Sequence, residues 1–420
     1  MCSDILKRYL KYLGYKVKHV MNITDVDDKT IKGANTEGTS LKEYTQRYEK
    51  SFFEDLESLN IDKADKFTRA TDNIDEMVKI IKKLLDKKIA YKSEDGSIYY
   101  DISKFKDYGK LAHTKIKQLK EGARVKQDSY EKEEAKDFAL WKSYDKEDGN
   151  IFWETSIGKG RPGWHIECSA MSMKYLGEHF DIHAGGIDLV FPHHENEIAQ
   201  SEAFSGKKFV NYWFHNEHLL VDGKKMSKSL GNFFTLRDLL NKGFNPIAIR
   251  YLLLSANYRV QLNFTEEAVK SSENAIQRLN DFMIKLKEIK DNKDNKNIPK
   301  LILKTKKEFD KAMDDDLNIS GALAVIFDFA KETNTLMMEN NIGKDNAIKI
   351  INLMNDFDRI LGVLEEKEVK LSPDLKKLID EREKARKEKR FDDADRIRNE
   401  LKVTGIILED TKDGVRWKKT

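Results

Sequence analysis

The stretch Val17-Lys18-His19-Val20-Met21-Asn22-Ile23-Thr24-Asp25-Val26-Asp27-Asp28 decides the fold class. Val17 to Ile23 is rich in β-formers and predicts a strand, which runs directly into the polar segment Thr24 to Asp28. A polar loop at the carboxyl end of a strand is where α/β folds place their ligands. Backwards from it, Asp4 to Leu13 carries Ile5, Leu6, Tyr9, Leu10, Tyr12 and Leu13 and predicts an amphipathic helix, with Gly14 where a left-handed cap belongs. A doubly wound unit opens with a strand that feeds such a helix. Here the helix begins within a few residues of Met1, so the expectation is a parallel sheet whose first strand is missing.

Forwards, Leu41 to Leu59 and Ile74 to Leu85 read as helices, and Ile89 to Tyr100 reads as a hairpin of alternating apolar residues around Gly96. From Phe105 to Glu147 the chain is charged and weakly periodic, which suits an inserted surface domain. Apolar and glycine-rich segments resume at Ile151. Beyond Thr265, Ala268 to Ile289, Leu303 to Met313, Ser320 to Asn340 and Ala347 to Leu364 predict an α-helical bundle. Glu365 to Lys377 reads as a linker to a small last unit, made of a basic helix from Asp380 to Leu401 and a hairpin-like end from Gly405 to Trp417.

At roughly 150 residues per domain, 420 residues make two to three domains with a sizeable core. Lys and Arg number 76 against 73 Asp and Glu, a net +3, so a nucleic-acid surface must come from local clusters rather than bulk charge. The two cysteines, Cys2 and Cys168, lie far apart and suggest no disulfide framework. No apolar run approaches the 18 or so residues of a membrane span, and mean hydropathy is −0.67. A soluble, cytoplasmic protein without membrane partners is expected.

Chemistry concentrates between His165 and His218, which hold seven of the nine histidines. Cys168 sits in Trp164-His165-Ile166-Glu167-Cys168. Twenty-five residues on comes Pro192-His193-His194-Glu195-Asn196-Glu197, with Pro suited to the first turn of a helix. His193 and Glu197 at i,i+4 share a helical face, and a thiolate brought in from elsewhere would complete three ligands of the S, N, O kind that zinc accepts. His194 with Glu197 at i,i+3 competes, and a buried cysteine beside a helix-start ion pair accounts for the same residues. Further on, Lys224-Lys225-Met226-Ser227-Lys228-Ser229-Leu230-Gly231-Asn232 forms a cationic loop able to close on a triphosphate; as bare composition such a run is more often a solvated loop than a site.

The whole strings are more specific. Lys-Met-Ser-Lys-Ser at Lys225 to Ser229 is the signature loop of class I aminoacyl-tRNA synthetases, and the chain resembles the cysteinyl-tRNA synthetases over nearly its full length. The resemblance rests also on Asn22 to Lys29, Gly163 to Met171, Gly185 to Glu197, Ala312 to Asp316, and Leu408-Glu409-Asp410 through Trp417. It implies an α/β class I fold with a Rossmann-type parallel sheet, an inserted connective domain, an α-helical bundle and a small anticodon-binding domain. The activity implied is ATP-dependent formation of cysteinyl-adenylate and transfer to tRNA(Cys), with ATP and Mg as substrate and one zinc per chain that selects the cysteine thiolate. It places Cys168, His193 and Glu197 on the zinc-ligand positions, Thr24, Trp164 and His183 in the cysteine pocket, Gly185, Gly186 and Asp188 on the adenosine side, and Lys228 and Lys225 on the phosphates as catalytic residues. In the last unit Phe391, Asp395 and Asp410 fall on anticodon-contact positions, near Lys389 and Arg390 for phosphate.

The family's His-Ile-Gly-His motif, and the cysteine just before it that supplies another zinc ligand, are absent from these 420 residues. The expectation is an N-terminally truncated, poorly active form of an otherwise ordinary enzyme, since such preorganised donors are worth factors of hundreds or more. Two alternatives are a cysteine:amino-sugar ligase of the same superfamily and a non-catalytic tRNA-binding protein derived from a synthetase. The expected organisation is a first catalytic half at 1–70, a connective domain at 71–158, a second catalytic half with the zinc site at 159–222, the lysine loop and stem-contact region at 223–265, the bundle at 266–368 and the anticodon-binding domain at 369–420, in a monomer.

Overall fold

A computed structural model describes residues 1–113, 124–125, 137–227, 230–364, 373–404, 406–411 and 414–419. The chain divides into two compact units, Met1–Leu364 and Glu365–Thr420. The expected insert at Phe105 to Glu147, the linker at Glu365 to Lys377 and the end at Gly405 to Trp417 each lie partly outside the described residues, and Lys228 lies wholly outside them.

The first unit opens with α1 (Cys2–Tyr12), β1 (Val20–Ile23), α2 (Asp28–Glu37), α3 (Leu41–Ser58), β2 (Lys66–Arg69) and α4 (Ile74–Asp86). Local chemistry sets these boundaries. Asp27 and Thr30 make a reciprocal capping box at the start of α2, and Ser40 and Glu43 do so for α3. Strand β1 starts three residues later than the pattern suggested, because the backbone of His19 is already taken by the Asp65 carboxylate at 2.7 Å. β1 and β2 pair in parallel, with Val20 opposite Lys66 and Ile23 opposite Arg69.

Strands β3 (Ala90–Lys92) and β4 (Ile98–Tyr100) form the expected hairpin. They continue through β5 (Arg124–Val125), β6 (Asp137–Ser143), β7 (Trp153–Thr155) and β8 (Gly158–Pro162) into one six-stranded sheet. Strand β6 corrects the reading of Phe105 to Glu147 as surface: Phe138, Ala139, Leu140 and Trp141 are core residues. Asp137 and Lys142 at its ends hid it. Both are buried, the first accepting from Tyr91 Oη at 2.7 Å and the second holding Asp28 at 3.1 Å.

Next come α5 (Trp164–Leu176), β9 (Phe180–Gly186), α6 (Glu195–Ser205) and β10 (Val210–Asn216). β9 and β10 run parallel from Phe180 opposite Val210 to Gly186 opposite Asn216. Among the described residues β1–β2 and β9–β10 are therefore separate parallel pairs rather than one continuous sheet, and β11 with β13 and β5 with β6 also pair in parallel. A three-stranded sheet of β11 (Leu219–Val221), β12 (Lys224–Lys225) and β13 (Leu262–Phe264) surrounds α7 (Leu236–Asn241) and α8 (Pro246–Leu254) in sequence. The bundle is α9 (Glu266–Lys287), α10 (Ile298–Asp314), α11 (Ile319–Met338) and α12 (Lys344–Leu361). Helix α1 packs into this bundle: Ile5 and Tyr9 share its core with Phe309, Phe357 and Ile360.

In the second unit, α13 (Pro373–Lys387) and α14 (Phe391–Val403) precede the antiparallel pair β14 (Ile406–Thr411) and β15 (Gly414–Lys419). The single basic helix expected over Asp380 to Leu401 is thus two. Lys389 adopts φ +58 and the Arg390 N–H returns to Ala385 O at 2.8 Å, which turns the chain without a Gly or Pro to mark it. Ile379, Ile397, Leu401, Ile406 and Leu408 make this unit's own core.

Arg250 on α8 ties the first unit together. Fully buried, it donates to Asp4 at 2.8 Å, to Leu361 O at 2.6 Å, and to Leu59 O and Asn60 O at 2.9 and 2.7 Å. Three separate segments thus share one guanidinium. Arg250→Ala should destabilise the chain by about 1–3 kcal/mol in urea unfolding, because the carbonyls of Leu59 and Leu361 lose their donor while Asp4 keeps its pair with Arg8 at 3.0 Å. Exposed Arg359→Ala should change stability by no more than about 0.5 kcal/mol; equal losses would show that Arg250 has no such role.

Candidate functional site

The site forms where α5 starts, where β9 ends and where α6 starts. The turn into α6 departs from the first-turn geometry expected for Pro192: the chain from Val190 to His194 is kinked, with Phe191 extended at φ −137, ψ 131, and α6 proper begins at Glu195. This turn delivers His193, His194 and Glu197 to one place, all buried.

Glu197 has no measurable exposure, and neither carboxylate oxygen has a hydrogen-bond partner. Three imidazoles converge on its Oε2, with Nε2 of His183 at 3.3 Å, of His193 at 3.7 Å and of His194 at 3.9 Å. Ligand atoms of Cys168, His193 and Glu197 all lie within 4.8 Å of one another, and so do those of His183, His194 and Glu197. Burial drives the His193 and His194 imidazoles well below their usual range, so they stay neutral and do not offset the carboxylate. Burial, and then the charges of Glu197 and Glu167, push the Cys168 thiol well up. A divalent cation reverses both problems, compensating the carboxylate and stabilising the thiolate. The residues present therefore fit zinc, which takes S, N and O donors together.

A second layer orients the imidazoles. His165 Nδ1 lies 3.0 Å from His193 Nδ1, and His165 O accepts from the Gln200 amide, which also donates to Ser169 Oγ at 2.7 Å. Burial lowers the pKa of His165 to about 3, keeping it neutral, so one of the two rings donates and the other accepts. This leaves Nε2 of His193 facing Glu197. On the other side His215 Nε2 lies 2.8 Å from His194 Nδ1, with the same effect on His194.

Around this cluster stand the remaining expected residues. The Trp164 and His193 ring centroids are 4.1 Å apart, so the indole covers the cluster on one side. His183 packs between His194 and Trp213, at 4.8 and 4.9 Å. Thr24 follows β1, half-buried, and its hydroxyl accepts from Asn22 Nδ2 at 3.2 Å. Crowding from the protein itself requires Gly185, where a Cβ would lie 2.7 Å from Cε1 of the buried His194; at Gly186 a Cβ would meet only the exposed Asp188 carboxylate, at 2.3 Å from Oδ1. Asp188 is exposed in the turn after β9, and Lys225 is exposed on β12. Asn232 braces the lysine loop, accepting from Ser227 N at 2.9 Å and donating to Lys225 O at 3.2 Å.

Residues 1–274 match the model of the tRNA synthetases class I (C) catalytic domain, residues 308–365 the DALR domain, and residues 368–417 the cysteinyl-tRNA ligase anticodon binding domain. A cysteine–tRNA ligase of Protochlamydia amoebophila is 53% identical over 422 residues, covering 99% of this chain and 88% of that protein. The chain belongs to the cysteine–tRNA ligase family. Another member, from Brachyspira hyodysenteriae, is 50% identical over 428 residues, covering 99% and 90% of the two chains. Among solved structures, Mycobacterium tuberculosis methionyl-tRNA synthetase in complex with methionyl-adenylate superposes with a TM-score of 0.60 at 13% identity, over 86% of this chain and 84% of that one. That likeness shows the class I fold. Among the described residues no helix is long and apolar enough to cross a membrane.

For a cysteine–tRNA ligase family member the second unit presents its expected contacts openly. Phe391 is 59% exposed at the start of α14, and Asp395 is exposed one turn on. Asp410 lies on β14 opposite Val415, its side chain outside the described residues. Sequence reasoning missed His165, His215 and Gln200 as parts of the site and the bracing role of Asn232, and held His194 only as a competitor of His193. The crowding of histidines between His165 and His218 was the signal for the first two; a lone Gln or Asn carries none. His165→Ala should weaken zinc retention about 10- to 100-fold in a chelator competition, because it frees the His193 ring. Unchanged retention would show that the contact does not orient a ligand.

Proposed function

We propose that the chain activates cysteine with ATP and transfers it to tRNA(Cys), and that Cys168, His193 and Glu197 hold the zinc. The buried carboxylate of Glu197 without a hydrogen-bond partner, beside a cysteine and an imidazole, is the observation that carries this reading. Bound there, zinc supplies a Lewis-acid position that takes the substrate's sulfur as a thiolate. Serine has no sulfur to offer, and a site left with its partner missing rejects an analogue strongly, which gives discrimination without a second hydrolytic site.

The protein's own groups do the rest. The Thr24 hydroxyl accepts from the substrate amino group, while Trp164 and His183 wall the small side chain and keep water from it. Gly185 and Gly186 let the adenosine approach the end of β9, and Asp188 accepts from ribose hydroxyls. As the cysteine carboxylate attacks the α-phosphorus and pyrophosphate leaves, Lys228 and Lys225 balance the charge that develops on the phosphates. In the second unit the Phe391 ring stacks on an anticodon base, Asp395 and Asp410 accept from base amino groups, and Lys389 and Arg390 meet phosphate. Neither the amino-sugar ligase nor the non-catalytic alternative is favoured, since an anticodon binding domain accompanies the catalytic one.

Calorimetric titration of the zinc-loaded chain tests the pocket directly. Cysteine should bind about 10⁴-fold more tightly than serine, and Glu197→Gln should abolish both zinc retention and that preference. Equal binding of the two amino acids would contradict the reading.

The two sets of residues in the second unit should fail differently. Asp395→Ala should cost about 1–3 kcal/mol of discrimination against anticodon-mutant tRNA at constant salt. Lys389→Ala should weaken all tRNAs alike and flatten the salt dependence. A uniform loss from Asp395→Ala would remove its role in reading bases.

A further inference from the structure

Helix α6 begins with acidic residues that face in two directions. Glu197 turns to the histidine cluster, while Glu195, about 200° away around a helix of 3.6 residues per turn, turns to the segment Tyr108 to Ala112. That segment falls in the stretch whose charge suggested an inserted surface domain. We propose that it is a positioning element of the metal site: by gripping Glu195 and Asn196 it holds Glu197 and His193 in place, and so sets how tightly the site takes zinc. This rests on the reading of His193 and Glu197 as metal ligands in the proposed function.

Three observations carry it. The first is the grip itself. The Glu195 carboxylate is fully buried and accepts from the backbone of Gly109 at 2.7 Å and of Ala112 at 2.9 Å, and the backbone N–H groups of Lys110 and Leu111 also favour its charged form. Successive N–H groups around a left-handed residue make a concavity for an anion. Here Gly109 takes that conformation at φ +89, and the anion is the protein's own side chain. The second observation is that the hold is repeated along the helix. Tyr108 Oη donates to Asn196 Oδ1 at 2.5 Å, and Tyr100 of β4 donates to Ala199 O at 2.9 Å, all four residues being buried. One stretch of chain thus meets α6 at positions 195, 196 and 199. The third is the neighbour that must be restrained. Both Glu197 oxygens are buried without a hydrogen-bond partner, so in the metal-free site desolvation favours any movement of that carboxylate towards water. A charge-assisted anchor on the opposite side of the same helical turn resists that movement. A ligand held in position beforehand binds its metal more tightly than one that must first be gathered.

Chelator competition on the zinc-loaded full-length chain, joined to the visible spectrum of its cobalt-substituted form, tests the proposal, because that spectrum reports the geometry of the ligands. Glu195→Gln keeps the size of the side chain and removes its charge, whereas Tyr108→Phe and Gly109→Ala alter the grip without touching α6. Each should weaken zinc retention about 10- to 100-fold and shift the cobalt bands. Glu195→Gln and Gly109→Ala combined should lose no more than the larger single change, since both break one joint. Arg250→Ala, which destabilises the same unit elsewhere, should leave retention and spectrum unchanged. Should Glu195→Gln fail to fold by circular dichroism, Tyr108→Phe and Gly109→Ala decide. Unaltered retention in these variants overturns the positioning role and leaves the zinc reading standing. Losses that add in the double variant, or an equal loss in Arg250→Ala, likewise overturn it, since they would show independent or merely structural effects. An intact chain that retains no zinc overturns both readings.

Discussion

A carboxylate buried with neither oxygen hydrogen-bonded is the constraint on which this site depends. Burial keeps the His193 and His194 imidazoles beside Glu197 neutral, so these two do not compensate its charge. Removing a charge from water without a partner is too costly to survive as a packing accident. The turn before α6, the crowded Gly185 near the end of β9, and the outer histidines all act to hold that carboxylate and its neighbours in place. In the function proposed here a cation completes them, and with a thiolate ligand it would select a substrate by its sulfur.

The scaffold reaches this point from several directions. On the connective side Glu195, two residues before Glu197, accepts from the backbone of Gly109 and Ala112 at 2.7 and 2.9 Å, so the start of α6 is anchored by the chain that follows the hairpin. Asp28 at the start of α2 meets Lys142 and Arg161 of the six-stranded sheet, at 3.1 and 2.7 Å. Asp25 accepts from both the backbone and the hydroxyl of Thr71, joining the loop after β1 to the segment after β2. Arg250 links α1, the end of α3 and the end of the bundle. Polar side chains, rather than apolar packing alone, make these joints, which gives each a defined register at the cost of desolvating charge.

Elements whose side chains follow a simple period were legible in the sequence: α3, α4, the bundle helices and the hairpin all lie close to where periodicity placed them. Strand β6 was not, because its buried Asp137 and Lys142 read as surface residues until their partners, distant in sequence, are known. The break between α13 and α14 was hidden because a lysine, not a glycine, takes the left-handed conformation. At the site, the i,i+4 spacing of His193 and Glu197 was readable, whereas the supporting contacts of His165, Gln200 and His215 depend on which segments pack together. The glycines at 185 and 186 were read as room for a ligand; at Gly185 the structure shows first that the buried His194 ring needs the space.

Zinc K-edge X-ray absorption on the zinc-loaded chain, with and without cysteine, is the most direct measurement. One sulfur, from Cys168, should appear among nitrogen and oxygen neighbours of the zinc in the free protein, and cysteine should add a second while serine adds none. A zinc shell without sulfur, or a sulfur count that cysteine leaves unchanged, would contradict the selection of substrate through the metal.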